Sequence, residues 1–423
     1  MRSRLAAVAV VGLIGGLLPG QAQAQGIDWV REFGSHGPDF GRAVAADATG
    51  TYVVGVARKQ LPFETYQAGF DGFIRKYSPT GKRLWTDEFG TTGQDGAADV
   101  AVDSSGVYVV GWIDGSGGLP SLPNEGPQTL GDALIRKYTL GGQLVWTHRF
   151  GPPHGGAALS VALSSDAVYV SGFTIGTFAG ELSRGGGDGF VAKFALNGTQ
   201  RWARQFGSPA LDVAEGVAVN DTGVYVSGHT DGAIDAQTSQ GNTDAFVRKY
   251  DSEGLKRWTR QFGTSGLDFA ESVAVQGTTG VFVTGESGSE SRTPGLGTVQ
   301  AFVHAFGVTG TDLWNRTFGT PKGTDASDIV VGSDSLYVTG GTEGALQGQT
   351  AAGKEDAYVR AFGFDGTAAR IEQCGTPAWD EGGGVAVDPS GMLEVAGGTL
   401  GIFPREKRQG SEMDAFVARL SPP

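Results

Sequence analysis

Glycine accounts for 72 of the 423 residues, well above the average share of about 7%. The glycines follow no three-residue period, which excludes collagen, and apolar (39%) and aromatic (10%) residues are too frequent for a disordered chain. Charged residues make up only 18%, which excludes a coiled coil, and the formal net charge of −13 makes nucleic acid and anionic lipid poor partners. This composition favours one large closed β architecture with many turns.

The first residues have the pattern of a secretory signal peptide. Arg2 and Arg4 precede an apolar run from Leu5 to Leu18, and the small-x-small sequence Ala22-Gln23-Ala24 follows. The run is short and interrupted by glycine, so a membrane span is the less favoured alternative. We therefore predict a signal peptide over residues 1–24, a single domain over residues 25–423, and a secreted, periplasmic or cell-surface location.

An internal repeat organises the rest of the chain. A Trp-x-x-x-Phe-Gly unit recurs at steps of 56, 61, 56, 56 and 56 residues, and a seventh copy has Cys374-Gly375 in place of Phe-Gly. The copies begin at Trp29, Trp85, Trp146, Trp202, Trp258, Trp314 and Arg370. Each copy carries three further runs rich in β-branched and aromatic residues, which predicts one four-stranded propeller blade per copy. We expect the repeated tryptophans to pack between blades.

The two ends of the chain predict how the ring closes. A Trp strand from Asp28 to Phe33 has no strand partners before it, and the final strand, Asp414 to Leu420, has no Trp strand after it. Pairing the two would complete the last blade and remove two exposed sheet edges. We therefore predict an all-β, seven-bladed β-propeller with four-stranded blades, closed by the N-terminal strand.

Three stretches of the repeat invite comparison with known families. Besides the Trp-x-x-x-Phe-Gly start, the repeat contains three characteristic stretches. Examples are Val100-Ala101-Val102-Asp103, Tyr108-Val109-Val110-Gly111 and the Asp-Ala-Phe-Val-Arg-Lys-Tyr strand that begins at Asp244. Together they resemble the SBBP-type β-propeller repeat of bacterial exported and cell-surface proteins, and this resemblance implies a seven-bladed propeller without a common activity. Thr80-Gly81-Lys82-Arg83-Leu84-Trp85 is similar to the docking motif of quinoprotein dehydrogenase propellers. Those proteins have eight blades and a vicinal cysteine pair, so we expect no quinone cofactor here.

Loop lengths predict where a partner would bind. Only the loop between the second and third strands of a blade changes by more than one residue from copy to copy. In propellers this loop and the inter-blade loop lie on one face, which we predict binds a protein, peptide or glycan. The candidate residues on this face are Arg58, Lys59, Phe63, Trp112, Asn124, Glu125, Arg184, His229, Arg292, Phe403, Arg405 and Lys407.

A carboxylate precedes most of the first strands. Asp39, Asp95, Asp212, Asp268 and Asp380 lie ten residues after the Trp position, Asp325 lies eleven after it, and Gly156 interrupts the series. A ring of carboxylates at the channel mouth could bind a cation such as calcium. Asp in a Gly-x-Asp turn more often accepts hydrogen bonds from nearby backbone N–H groups, and we favour that structural role.

The sequence contains no recognisable catalytic constellation. The 5 histidines share no metal-ligand spacing, and the single cysteine, Cys374, occupies a repeated Phe position, which predicts a buried and inert thiol. We therefore predict a monomeric, exported, non-catalytic binding or scaffold protein without a cofactor. The alternative is a polysaccharide-directed hydrolase or lyase that uses the mouth of the central channel.

Overall fold

The computed structural model describes residues 26–62, 64–65, 69–115, 131–153, 155–289, 299–408 and 412–422. The predicted signal peptide lies outside these residues. All regular structure in the described ranges is β-strand. Accordingly, this part of the chain has no helix that is long and apolar enough to cross a membrane.

The described strands fall into seven groups of four, which we call blades I to VII. The first strand of the chain is β1 (Ile27–Phe33). Blade I has β2 (Asp39–Asp47), β3 (Gly50–Ala57), β4 (Asp71–Tyr77) and β5 (Arg83–Phe89). Blade II has β6 (Gln94–Asp103), β7 (Gly106–Gly115), β8 (Asp132–Tyr138) and β9 (Leu144–Phe150). Blade III has β10 (Gly156–Leu163), β11 (Ala167–Thr174), β12 (Asp188–Ala195) and β13 (Gln200–Phe206).

The second half of the ring repeats this order. Blade IV has β14 (Asp212–Asn220), β15 (Gly223–Thr230), β16 (Asp244–Tyr250) and β17 (Lys256–Phe262). Blade V has β18 (Leu267–Gln276), β19 (Gly280–Ser289), β20 (Gln300–Gly307) and β21 (Asp312–Phe318). Blade VI has β22 (Asp328–Val331), β23 (Ser335–Thr342), β24 (Asp356–Gly363) and β25 (Ala368–Cys374). Blade VII has β26 (Asp380–Val387), β27 (Leu393–Thr399) and β28 (Asp414–Leu420), and β1 completes it.

Each blade is an antiparallel sheet whose strands follow chain order from the axis outwards. In blade VII the order is β26-β27-β28-β1, so the N-terminal strand supplies the outermost position. Val30 is paired with Ala418 and Phe33 with Ala415. The predicted seven-bladed propeller and its closure by the N-terminal strand are both confirmed.

The repeated tryptophans dock neighbouring blades together. The indole Nε1 of Trp29 donates to the Pro79 carbonyl at 3.1 Å, and that of Trp314 donates to the Phe364 carbonyl at 3.0 Å. The indole of Trp29 also covers Gly81, where φ is +72° and an added Cβ would lie 2.8 Å from the ring. Glycine is therefore required in this turn for both backbone conformation and space. The tryptophans pack between blades, as predicted.

The apolar side chains show where the axis lies. Seven buried clusters in the described chain each join two neighbouring blades. An eighth cluster takes its buried members from four successive blades, I to IV. These members are Val56, Trp112, Ala157, Phe173 and Val213. Side chains from four blades can meet only beside the central axis, so this cluster closes part of the channel. We call it the axial cluster.

A polar belt ties the innermost strands together. The Asp99 carboxylate accepts hydrogen bonds from the Val161 amide at 2.8 Å and the Ser160 hydroxyl at 2.9 Å in the next blade. Asp328 accepts from the Ser272 hydroxyl at 2.7 Å on one side and from the Val385 amide at 2.9 Å on the other. Because each carboxylate contacts another blade, the belt fixes the spacing of inner strands that have few hydrogen-bonding partners of their own.

Candidate functional site

The variable loops and the inter-blade connections lie on the same face, as predicted. The Asp95 amide of blade II donates to the Phe70 carbonyl at the end of the blade I loop, at 2.8 Å. The Asp212 amide of blade IV likewise donates to the Gly187 carbonyl of the blade III loop, at 2.9 Å. Each loop is thereby fastened to the first strand of the next blade. We call this side of the ring the loop face.

Within the described residues, five of the variable loops share an anchor that the sequence analysis missed. A buried apolar residue in the loop donates its backbone N–H to a side-chain oxygen three residues after the Trp position. The pairs are Leu61 N with Glu88 Oε2 (2.9 Å), Phe178 N with Gln205 Oε1 (2.9 Å), Ile234 N with Gln261 Oε1 (3.0 Å), Leu346 N with Gln373 Oε1 (2.9 Å) and Phe403 N with Glu32 Oε2 (3.0 Å). The loops are therefore more alike than their sequences indicate.

A spacing in the sequence could have revealed four of these anchors. The apolar residue stands 27 positions before the Gln or Glu in blades I, III, IV and VI. Arg149 and Thr317 occupy the anchoring position that serves blades II and V. The loops of these two blades lie largely outside the described residues.

The candidate ligand-face residues divide by exposure. Arg58, Lys59, Arg184, Arg405 and Lys407 are exposed on the loop face. Phe63, Asn124, Glu125 and Arg292 lie outside the described residues, as does His154. Trp112, His229 and Phe403 are buried, with 6%, 8% and 4% of their surface exposed, which corrects the expectation that they stand at loop tips.

Each of the three buried residues has a structural reason for its position. Phe403 is a loop anchor, and its ring packs on Phe416 with 5.1 Å between the ring centroids. Trp112 belongs to the axial cluster, and the guanidinium carbon of Arg42 lies 5.3 Å from its ring centroid. The His229 ring packs edge-on against Phe269, 4.8 Å between centroids. All three side chains pack against other residues of the propeller, so their surfaces are not exposed to a partner.

Four exposed cations lie on the two loops that flank the closure of the ring. Arg58 and Lys59 belong to the loop of blade I, and Arg405 and Lys407 belong to the loop of blade VII, which is its neighbour. The aliphatic parts of Arg58 and Lys59 lie over Gly37, in the connection between those two blades. We call these four residues the basic patch. It stands out because the whole chain is acidic.

Five of the predicted aspartates accept backbone hydrogen bonds in the turns that precede the first strands, as favoured by the sequence. Asp39, Asp95, Asp212, Asp268 and Asp380 each accept a hydrogen bond of 2.6 Å from the backbone N–H four residues earlier. Asp325 was wrongly placed in this series. Thr324 occupies the corresponding position and accepts from the Thr320 amide at 3.2 Å, whereas Asp325 accepts from the Gly341 amide at 2.9 Å.

A second carboxylate faces each of these aspartates across the glycine of the Phe-Gly unit. A Cβ built on Gly207 would lie 2.5 Å from Asp212 Oδ2 and 2.6 Å from Asp188 Oδ1. The same arrangement surrounds Gly34, Gly90, Gly263 and Gly375. Burial, with a smaller contribution from Asp188, raises the pKa of Asp212 to about 6, against the hydrogen bonds from Ser208 and Thr230, which lower it. Burial likewise raises the pKa of the other four first-strand aspartates above its ordinary value.

No metal centre is formed by the side chains described. Among those residues, no three His, Cys, Asp or Glu side chains converge on a point that could hold a metal ion. The paired aspartates are almost fully buried, and in the pair of Asp188 and Asp212 one oxygen of each carboxylate already accepts a backbone hydrogen bond. Cys374 is half-buried and not fully buried as predicted. Burial and the nearby Asp380 and Asp356 raise the pKa of its thiol to about 12, which disfavours the thiolate.

The mouth of the channel breaks the repeat symmetry. Its apolar half is the axial cluster of blades I to IV, whereas Glu215, Glu271 and Glu381 supply carboxylates from blades IV, V and VII. Arg42 lies among them: burial lowers the pKa of its guanidinium, and these three carboxylates oppose that shift. Burial, Asp325 and Glu355 raise the pKa of Glu381 well above its ordinary value. The mouth thus has an apolar side and an acidic side.

Comparisons with known proteins agree with the fold. No family model matches the chain. The chain is 25% identical over 278 residues to the regulatory protein FlaEY of Caulobacter vibrioides, a match that spans 58% of this chain and 29% of FlaEY. It resembles the WD40 domain of Neurospora crassa Pan2 with a TM-score of 0.51 at 10% identity, over 92% of this chain and 90% of that domain. The WD40 propeller of Doa1 gives 0.52 at 13% identity, over 93% and 96%.

Proposed function

We propose that this chain is an exported, non-catalytic scaffold that holds a protein partner on its loop face. The observation that carries the proposal is the basic patch, four exposed cations on two adjacent anchored loops of an acidic protein. Cations presented together on a rigid scaffold favour an acidic segment of a partner. The similarity to WD40 propellers and to a regulatory protein supports an interaction role. Export is supported by the charged and apolar pattern of residues 1–24.

The burial of the paired aspartates argues against their use as the carboxyl groups of a hydrolase or lyase. A glycosidase needs two carboxyl groups that flank the scissile bond of a bound substrate. Asp188 and Asp212 leave at most 1% of their surface exposed. A saccharide could not reach them without opening the blade, so we assign no catalytic role to these pairs.

The proposal is tested with a synthetic acidic peptide, a glutamate-rich 12-residue probe carrying a fluorophore, in anisotropy titrations at two salt concentrations. The quadruple variant Arg58→Ala, Lys59→Ala, Arg405→Ala, Lys407→Ala should weaken binding about tenfold or more. The matched control removes four exposed cations from the opposite, hairpin face, at Lys82, Arg83, Arg201 and Arg257. Equal weakening by both variants would show a non-specific charge effect and overturn the proposal, as would equal binding of a lysine-rich probe.

A further inference from the structure

Two of the five loop anchors differ chemically from the others. In blades III, IV and VI the anchor is a glutamine, whereas Glu88 anchors the blade I loop and Glu32 anchors the blade VII loop. These are the two loops that carry the basic patch. The three glutamine blades provide a reference, within the same molecule, for what the anchoring side chain must do.

The glutamine anchors need a hydrogen-bond donor as well as an acceptor. Gln205 Nε2 donates to Asp188 Oδ2 at 2.6 Å and to the Gly176 carbonyl at 2.9 Å. Gln261 repeats this with Asp244 and Gly232, and Gln373 with Asp356 and Gly344. The amide thus joins a buried carboxylate to the loop. An ionised glutamate has no proton to donate and would place a second negative charge beside that carboxylate.

Glu32 and Glu88 occupy the same geometry. One oxygen of each accepts the loop N–H, as the glutamine oxygen does, and no described N–H or O–H group reaches the other oxygen, Oε1. Both side chains are buried, with 5% and 8% of their surface exposed. A protonated Oε1 would donate as the amide does, which explains how glutamate can replace glutamine in this repeat.

The groups around each glutamate oppose its ionisation. Glu32 faces Asp414 on β28 and Glu406 in the loop, and Asp39 stands behind Asp414. Glu88 faces Asp71 on β4 and Glu64 in the loop, with Arg75 as the opposing cation. Burial and these carboxylates raise the pKa of both Glu32 and Glu88 to about 7, against the loop N–H bonds and Arg75, which lower it.

We propose that Glu32 and Glu88 are protonated below neutral pH and act as pH-sensitive latches, releasing the two basic loops when their protons pass to solvent. Ionisation of the glutamate removes its O–H donor and leaves two negatively charged carboxylates buried side by side. Opening of the loop lets water hydrate both carboxylates, so ionisation favours the open loop. The latch itself does not depend on any ligand. Only its consequence for binding, weaker capture of an acidic segment at alkaline pH, rests on the proposed function.

The test is hydrogen exchange of the free protein between pH 5 and pH 9, expressed as protection factors so that the intrinsic pH dependence of exchange is removed. The reporters are the loop amides of Leu61 and Phe403, and the internal controls are those of Phe178, Ile234 and Leu346. Between about pH 5 and pH 7, protection of the two reporters should fall by about tenfold per pH unit, because opening is linked to loss of one proton. Above about pH 7 protection should level off, because the glutamate is then ionised in the closed loop as well. The three controls should change little.

Matched substitutions complete the test. Glu32→Gln and Glu88→Gln adopt the residue already used by three blades, so they should fold and should abolish the pH dependence of their own loop. Gln205→Glu should give the Phe178 loop the dependence it lacks. The proposal is overturned if all five loops lose protection in parallel, or if the glutamine variants keep the fall in protection with rising pH. A binding failure in the peptide assay would leave this result untouched.

Discussion

The glycine of the Phe-Gly unit gives the most quantitative prediction, the cost of the substitution Gly207→Ala. The added Cβ would lie 2.5 Å from Asp212 Oδ2 and 2.6 Å from Asp188 Oδ1. Non-bonded atoms in contact normally stand about 3.5 Å apart, so the methyl group overlaps both oxygens by roughly 1 Å. No positive φ forces glycine at this position. The expected destabilisation is therefore a packing effect alone.

Neither carboxylate can retreat without losing hydrogen bonds. Asp212 accepts from the Ser208 amide at 2.6 Å and the Thr230 hydroxyl at 2.5 Å, and Asp188 accepts from the Arg184 amide at 2.8 Å. Overpacking costs about 1–3 kcal/mol, and a lost hydrogen bond to a charged group costs about 1.5–3 kcal/mol. We expect Gly207→Ala to lower the free energy of unfolding by about 3–5 kcal/mol. Urea denaturation with an unchanged m-value would measure it.

Two comparisons decide whether the clash is the cause. Gly141→Ala meets no atom closer than 3.8 Å and should change stability by less than about 0.5 kcal/mol. Asp212→Gly copies Gly156 of blade III and removes one of the two clashing oxygens. In the Asp212→Gly variant, Gly207→Ala should lower the free energy of unfolding by less than half as much as it does in the unmodified protein. If the losses caused by the two substitutions simply add, the packing explanation is refuted.

Two further predictions concern pH and the docking tryptophans. Burial raises the pKa of Asp39 to about 8 and of Asp328 to about 7, so their stabilising contribution is complete below the unfolded-state value near 4 and is lost as pH rises through 7–8. The free energy of unfolding, from urea melts at constant ionic strength, should fall between pH 5 and pH 7 by about 1.4 kcal/mol per pH unit for each proton involved and should level off above about pH 8, and a rise would contradict the assignment. Trp314→Phe removes the donor to the Phe364 carbonyl and should cost about 1–3 kcal/mol in the same assay; an unchanged midpoint would show that the indole N–H contributes nothing.

The repeat pattern predicted the fold because blade geometry is set by local spacing. The Trp-x-x-x-Phe-Gly unit places an indole over a hairpin glycine of the next blade, and this contact recurs at a nearly constant interval. Strand pairing within a blade joins neighbours in the chain, and closure followed from the two unpaired terminal strands. These features depend on short-range order, which a periodic sequence displays directly.

The loop face was harder to predict because its contacts depend on what the ring brings together. Trp112 and His229 stand in variable positions of the sequence, yet the axis places them against residues of other blades. Phe403 was predicted as a residue of the partner-binding face, although its own role is that of a buried anchor. Asp325 was assigned by residue type, whereas position ten of that repeat is Thr324. In each case the side chain's environment was not a local property.

Two departures from the repeat show what accompanies the loss of a paired carboxylate. Where Gln300 replaces the third-strand aspartate, the facing position is Thr324, so both charges are absent together. Where Gly156 replaces the first-strand aspartate, the remaining Asp132 lies 3.6 Å from the guanidinium of Arg149. A buried carboxylate needs either a compensating cation or a neutral replacement. At one of these sites both facing positions are therefore neutral, and at the other an arginine stands beside the aspartate that remains.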